Sequence, residues 1–258
     1  MYIAFLLIIV IIVFMIKSIL GFGFLVFGLL FLVPFALVAF FFYMLGFRKS
    51  MKVFVYRLAQ GWARSLIPVS GCKITVKGRE KIPKKGGVCF VSNHSGYYDI
   101  VMMLAYAGRP FGFIAKKEFL YTPFLNLWIF MLGGHFVDRK NARKAMNTIN
   151  LGIKQIKAGG GMVIFPEGTR SKSAEVLPFR AGSLKLATQA GALIVPVAIE
   201  GSYRVYEEQK RVIGTDVHIT FFDPIDTSIL KPEERKQVLC DRIQTIISDE
   251  VKRSAVNA

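Results

Sequence analysis

The chain has 258 residues, of which 53% are hydrophobic and only 20% are charged, so it is too apolar for intrinsic disorder and long enough for one full domain with a core. Its formal net charge is +17 at pH 7. Lys17 is the single lysine, arginine, aspartate or glutamate before position 48, so the folded part carries almost all of the charge. This separation predicts an apolar segment in lipid, followed by a strongly cationic domain.

The N-terminal apolar block predicts two membrane-associated helices. Residues 1–20 can cross about 30 Å of hydrocarbon if the side chain of Lys17 extends to the interface. Residues 24–45 predict a second helix that bends near Pro34. The block has no basic start and is too long for a cleaved signal peptide, so we expect residues 1–47 to remain as a two-helix membrane anchor. A hairpin across the bilayer and a wedge within one leaflet both fit this pattern.

A basic segment follows the apolar block directly. Residues 48–85 carry eleven lysines and arginines and one acidic residue, Glu80, so the positive-inside rule places this side of the anchor in the cytoplasm. Apolar residues in 48–70 recur at near-helical spacing with basic residues between them, which predicts a basic interfacial helix before Pro68. A helix packed into the protein core would give the same pattern.

The pattern of residues 71–258 predicts one α/β domain, because short runs of β-branched residues alternate with helix-like stretches. This alternation predicts a mixed, mostly parallel sheet flanked by helices. The expected strands are Ile74–Val76, Val88–Ser92, Phe111–Ala115, Met162–Phe165, Ile194–Ile199 and Val217–Phe222. The expected helices lie near 99–107, 123–132, 140–158, 180–190 and 231–253. The three cysteines, Cys72, Cys89 and Cys240, are too few and too scattered for a disulfide framework or a metal site, so we expect reduced thiols in a cytosolic environment.

His94 and Asp99 lie in a polar loop that follows a buried-looking strand. On a continuous helix, five positions would set them about 140° apart, so they could not pair. If the strand stops at Asn93, the chain turns at Gly96 and Asp99 opens the next helix, the carboxylate can contact the imidazole and orient it as a general base. A capping role for Asp99 and a core role for His94 are the alternative.

A second strand with a polar loop after it contains Glu167, Gly168 and Arg170. The glycine allows backbone N–H groups to approach a phosphate, and a guanidinium can bind two phosphate oxygens at once. This combination predicts a phosphate-binding loop. An ordinary surface pair between Glu167 and Arg170 is the alternative.

Four segments in order cover about residues 70–225. They are NHSGYYD at 93–99, KKE at 116–118 through FVDR at 136–139, FPEGTRS at 165–171 and VPVAI at 195–199. Together they resemble the glycerolipid acyltransferase family with its HxxxxD motif, and within it most closely the 1-acyl-sn-glycerol-3-phosphate acyltransferases. Two departures are that the family often has serine where Gly96 stands and lysine where Arg180 stands.

The resemblance implies an enzyme that moves a fatty acyl group from acyl-CoA or acyl carrier protein to the sn-2 hydroxyl of lysophosphatidic acid, giving phosphatidic acid for phospholipid synthesis. It implies that His94 is the base and that Asp99 orients it. The implied substrate-binding residues are Lys116, Arg139, Glu167, Gly168, Thr169 and Arg170. It implies no metal and no cofactor. The anchor and the basic segment after it predict that this enzyme is membrane-bound and that its active site faces the cytoplasm.

Several alternatives stay open. The acceptor could be glycerol 3-phosphate or another lysophospholipid, or the protein could be a non-catalytic membrane protein whose basic face binds anionic lipid. A base with its orienting carboxylate has no use in pure binding, which favours the enzyme. Phosphate substrates, an anionic leaflet or nucleic acid would each explain the positive charge. We expect no nucleic-acid partner, because the basic residues adjoin the lipid anchor and no nucleic-acid-reading motif is present.

Overall fold

The computed structural model describes residues 23, 27, 28 and 30–256. Among the described residues, the helices before the first strand include α1 (Val33–Met44) and α2 (Arg48–Ser70). The strands that follow are β1 (Lys73–Lys77), β2 (Val88–Ser92), β3 (Phe111–Lys116), β4 (His135–Val137), β5 (Gly161–Ile164), β6 (Leu193–Glu200), β7 (Asp216–Phe221) and β8 (Ile225–Asp226). The helices between and after them are α3 (Tyr98–Tyr106), α4 (Leu125–Met131), α5 (Ala142–Lys157), α6 (Lys185–Ala190) and α7 (Gln237–Val256).

The strands form one sheet in the order β1-β7-β6-β2-β5-β3-β4, with β8 beside β6. Strands β2, β3, β4, β5 and β6 run parallel, and β7 and β8 are antiparallel to β6. The prediction of a mixed, mostly parallel sheet flanked by helices is confirmed, and each of the six expected strands is present. Strands β4 and β8 were not predicted, because three and two residues are too short to give a periodic signal.

The sheet lies between two layers of helices, each with its own apolar core. Helices α1 to α4 pack on one face of the sheet, and α5 to α7 pack on the other. Every residue of β2 is buried, with Phe90 in the first core and Cys89 and Val91 in the second. The ring of Phe90 lies 6.1 Å from that of Phe111 and 6.4 Å from that of Phe221. Strand β2 is therefore the central strand, and its carboxyl end is held from both sides.

Helix α2 packs one face into the first core and leaves the other exposed. Gln60 and Arg64 donate hydrogen bonds to the carbonyl oxygen of Ala105 in α3, at 3.3 and 3.2 Å. The helix covers the whole of the expected segment 48–70: it continues through Pro68, before which the sequence pattern suggested an end, to Ser70, and it ends at Gly71 with φ +73°. Pro68 lies in the last turn, where its missing N–H removes a single helical hydrogen bond. A glycine in the left-handed conformation is the usual way to end such a helix.

The two parts of the predicted anchor differ in what the structure describes. The first predicted helix, residues 1–20, lies outside the described residues. In the second apolar stretch, α1 begins at Val33 and has Pro34 in its first turn, where a proline is well tolerated. Ala36 and Ala39 pack into the first core. Within the described ranges, no helix combines the length and the hydropathy needed to cross a membrane.

We expect Phe90→Ala to lower the free energy of unfolding by about 3–5 kcal/mol, because the substitution leaves a cavity between two aromatic rings at the centre of the sheet. Leu151→Ala, at an exposed position of α5, is the control and should change it by less than about 0.5 kcal/mol. Denaturant unfolding of both variants in the same detergent measures the difference. Equal effects would contradict the assignment of β2 as the central strand.

Candidate active site

Asn93 fixes the point where the chain leaves the sheet. Its amide nitrogen donates to the carbonyl oxygen of Ile199 at 2.8 Å, and its amide oxygen accepts from the N–H of Ile199 at 2.9 Å. The side chain thereby continues the pairing of β2 with β6 past Ser92, which is opposite Val197. His94, the next residue, starts the loop from a fixed position.

The loop brings His94 and Asp99 into contact. His94 Nδ1 lies 2.7 Å from Asp99 Oδ2, and the same oxygen accepts from the N–H groups of Ser95 at 2.8 Å and Gly96 at 2.9 Å. Asp99 is in the first turn of α3 and is fully buried. The pair can meet because the chain turns at residues 95–97 before the helix begins.

The contact with Asp99 decides which nitrogen of His94 is available for chemistry. An ionised carboxylate can only accept, so Nδ1 carries the hydrogen, and Nε2 is the nitrogen that can take a proton from a hydroxyl. The His94 side chain is 18% exposed. One face of its ring is stacked on Phe165, with the centroids 4.1 Å apart and the planes 21° from parallel. Asp99 and Phe165 together fix the orientation of the ring.

Ser202 and Ser95 support Asp99 from its other side. The Ser202 hydroxyl donates to Asp99 Oδ1, and Ser95 Oγ lies 2.7 Å from Ser202 Oγ. Because the single hydrogen of Ser202 points to the carboxylate, Ser95 is the donor to Ser202. Ser202 was not predicted from the sequence, because its only signal is its place just after β6, the neighbour of β2.

Glu167 ties the loop after β5 to the loop after β2. Its Oε1 accepts from the N–H of His94 at 2.7 Å, and its Oε2 accepts from the N–H of Leu177 at 3.3 Å. The N–H of Ser171 donates to the carbonyl oxygen of His94 at 2.8 Å, which adds a second link. The Glu167 side chain is buried, and both of its hydrogen bonds are to backbone N–H groups of the protein. Burial raises its pKa to about 7, although the two N–H groups act in the opposite direction.

Arg170 is held on two sides. Its guanidinium carbon lies 3.5 Å from the centroid of the Tyr97 ring, and its Nη1 lies 2.8 Å from Glu207 Oε1. The side chain is 23% exposed. Glu207 lies outside the four motifs and was not predicted as a site residue, because nothing in the local sequence distinguishes it from the neighbouring Glu208.

Three other expected site residues lie beside Arg170, and one stands apart. Arg139 is exposed and donates to the carbonyl oxygen of Gly168, whose φ of +74° is a conformation that favours glycine. Thr169 is exposed on the same loop. Lys116 ends β3 and is also exposed, but among the described residues no polar contact joins it to the others.

The described residues show no group of three or more histidine, cysteine, aspartate or glutamate side chains that could hold a metal ion. The groups at this edge of the sheet that can act on a substrate are the oriented imidazole of His94 and the guanidinium groups of Arg139 and Arg170. This arrangement can remove a proton from a hydroxyl and bind an anionic group beside it.

Comparison with known proteins identifies the class. Residues 73–200, which span the His94 loop and the Arg170 loop, match the family model described as Acyltransferase. A protein of Borreliella burgdorferi named 1-acyl-sn-glycerol-3-phosphate acyltransferase is 32% identical over 186 residues, which are 71% of this chain and 72% of that protein. The chain therefore belongs to the acyltransferase family and is an enzyme of that class.

Two further proteins are similar to this chain. A Saccharomyces cerevisiae protein with the same name as the Borreliella relative is 32% identical over 180 residues, which are 67% of this chain and 55% of the yeast protein. The crystal structure of the 1-acyl-sn-glycerophosphate acyltransferase PlsC from Thermotoga maritima has a TM-score of 0.82 and 24% sequence identity. The match covers 95% of this chain and 97% of the other, so the two share a fold.

The raised pKa of Glu167 predicts a specific pH dependence of stability. A carboxyl whose pKa is about 7 in the folded protein stabilises the fold below its usual pKa and loses that contribution as the pH rises toward 7. We expect wild type to lose on the order of 3 kcal/mol relative to Glu167→Gln between pH 4 and pH 8. Unfolding of both proteins across this range measures the effect, with Glu175→Gln at an exposed position as control. A difference that does not change with pH would contradict it.

Proposed function

We propose that this enzyme transfers a fatty acyl group from a thioester to the sn-2 hydroxyl of 1-acyl-sn-glycerol 3-phosphate, giving phosphatidic acid. The observation that carries the proposal is the 2.7 Å contact between His94 Nδ1 and Asp99, which leaves Nε2 to take a proton. The names of the Borreliella and yeast relatives support this choice of acceptor. Acyl-CoA and acyl carrier protein both provide the required thioester.

The proposed reaction needs a single base. His94 Nε2 takes the proton of the acceptor hydroxyl while the oxygen attacks the thioester carbonyl carbon. Asp99 holds the imidazole in the required tautomer and stabilises the imidazolium that forms. The tetrahedral oxyanion then collapses, the carbon–sulfur bond breaks, and the imidazolium gives its proton to the departing thiolate. No acyl group is attached to the protein at any step.

The same proposal assigns the anion-binding residues. Arg170 and Arg139 bind the acceptor phosphate, because both guanidinium groups lie at the loop of Gly168 and a guanidinium can bind two oxygens. Glu167 and Gly168 give this loop its shape. Thr169 and Lys116, both exposed, add a hydrogen bond and a positive charge at the rim.

We also propose that residues 1–47 anchor the enzyme in the membrane, that the helix of residues 48–70 lies at the interface, and that residues 71–258 form the catalytic domain on the cytoplasmic side. The support is the apolar exposed surface of α1, which reaches α4 through the contact between Phe40 and Phe130, 6.4 Å apart. Large side chains exposed on and beside α1 are Phe35, Leu37, Val38, Phe41, Phe42, Met44, Leu45 and Phe47. Such a surface avoids extracting long acyl chains into water, which costs about 0.8 kcal/mol per methylene.

The test of the reaction is an assay of purified protein with a radiolabelled thioester donor. We expect lysophosphatidic acid to be the preferred acceptor over glycerol 3-phosphate and lysophosphatidylcholine. His94→Ala should lower kcat by roughly 100-fold to 10,000-fold, and Asp99→Asn should keep the fold but lose much of the activity, since a neutral amide cannot stabilise an imidazolium. His218→Ala, on β7, is the control and should retain activity.

Two outcomes would overturn the proposal. A folded His94→Ala protein with near wild-type turnover would exclude the mechanism. A preference for another acceptor would be consistent with His94 as the base but would show that lysophosphatidic acid is not the substrate. Parallel assays with acyl-CoA and acyl carrier protein then identify the donor.

The double substitution Phe41→Ser and Val38→Ser should lower activity on long-chain acceptor in vesicles by about tenfold or more, because each exposed side chain adds on the order of 1.5 kcal/mol when buried in lipid. Activity on a short-chain soluble acceptor should stay within about twofold. Val238→Ser, equally exposed on α7, is the matched control. An equal loss on both acceptors would show that the α1 surface has no role in membrane contact.

A further inference from the structure

Glu207 lies outside the four motifs but inside the candidate site. It follows the short 3₁₀ turn Ser202–Val205 that comes after β6. Its side chain is 1% exposed, and its Oε1 accepts from Arg170 Nη1 at 2.8 Å and from the N–H of Tyr97 at 2.7 Å. One carboxylate oxygen thus joins the loop after β5 to the start of α3.

Because Gly96 has no side chain, it leaves the space that the Glu207 carboxylate occupies. A Cβ atom at position 96 would lie 2.7 Å from Glu207 Oε2, closer than real Cβ atoms come, and 3.1 Å from Glu207 Cδ, which is a tight contact. Gly96 and Glu207 are therefore complementary, because a side chain at position 96 would need the space that the carboxylate occupies.

The contacts with Tyr97 and Glu207 fix the orientation of the Arg170 guanidinium and leave the edge away from Glu207 for a ligand. The Tyr97 ring covers one face of the guanidinium, and Glu207 engages Nη1. A buried carboxylate without a cationic partner is strongly disfavoured, so the pair holds Arg170 in place before any ligand arrives. An arginine that is already ordered loses less side-chain entropy when it binds an anion.

We propose that Glu207 is a positioning residue that orders Arg170 for the acceptor phosphate. The inference rests on the proposed function, in which Arg170 binds that phosphate. Glu207 also accepts from the N–H of Tyr97 just before α3, the helix that carries Asp99. If this contact were its main role, removing it would disturb the His94–Asp99 pair and lower kcat. A role through Arg170 raises the KM for the acceptor instead.

The first experiment compares three single variants. Glu207→Ala should raise the KM for lysophosphatidic acid about tenfold, with kcat and the KM for the donor within about twofold of wild type. Glu207→Gln should raise it less, because the amide oxygen still accepts from Tyr97 and Arg170 but carries no charge. Glu208→Gln is the matched control at the exposed neighbouring position and should match wild type. A thioester donor without phosphate groups keeps the donor from competing for Arg170.

The second experiment places Glu207→Ala on the Arg170→Ala background. If Glu207 acts through Arg170, the double variant should have the acceptor KM of Arg170→Ala alone. A full additional loss in the double variant, or a fall in kcat with unchanged KM in either Glu207 variant, would overturn the inference. Should Glu207→Ala fail to fold, the comparison of Glu207→Gln with Glu208→Gln decides the question.

The Arg170→Ala protein also separates the two proposals. An unchanged acceptor KM in Arg170→Ala would reject its assignment as a phosphate ligand, and with it the proposed function of this loop. A raised acceptor KM in Arg170→Ala together with a wild-type KM in Glu207→Ala would reject only the positioning role of Glu207.

Discussion

A buried carboxylate organises this site. Asp99 has no exposed surface, and its two oxygens accept from the imidazole of His94, from the N–H groups of Ser95 and Gly96, and from the hydroxyl of Ser202. A charge in such a position is tolerated only when its lone pairs are satisfied, so the loop geometry and the carboxylate stabilise one another. The orientation of the imidazole follows from this arrangement, because Nδ1 is one of the donors that the carboxylate requires.

The order and direction of the strands place the residues of the site at one edge of the sheet. Strands β2, β5 and β6 are parallel neighbours, so the loops that follow them leave the sheet side by side. Hydrogen bonds then join these loops directly: Glu167 accepts from the backbone of His94, and Glu207 accepts from the backbone of Tyr97. The two buried carboxylates thereby fix loops that lie more than 70 positions apart in the chain relative to one another.

The sequence predicted the elements with strong periodicity and the residues with distinctive chemistry. The six longer strands and the pairing geometry of His94 with Asp99 could be expected, because buried runs and a histidine near an aspartate are visible in the sequence. The roles of Ser202 and Glu207 could not, since a serine and a glutamate are common in loops and their meaning comes from contacts across the sheet. Pro68 misled the prediction of where α2 ends, because the helix continues for two residues beyond it.

The stacking of His94 on Phe165 has a consequence for the direction from which a substrate can approach. The lone pair of Nε2 lies in the plane of the imidazole, so an alcohol donates to it in that plane, and the Phe165 ring blocks approach from one of the two faces. The carbon that bears the alcohol must then lie on a narrow arc beyond Nε2. An acceptor that is held elsewhere by an anionic group must then place its free hydroxyl within that arc, so selection among acceptors would arise from the distance between hydroxyl and anion rather than from the acidity of the hydroxyl.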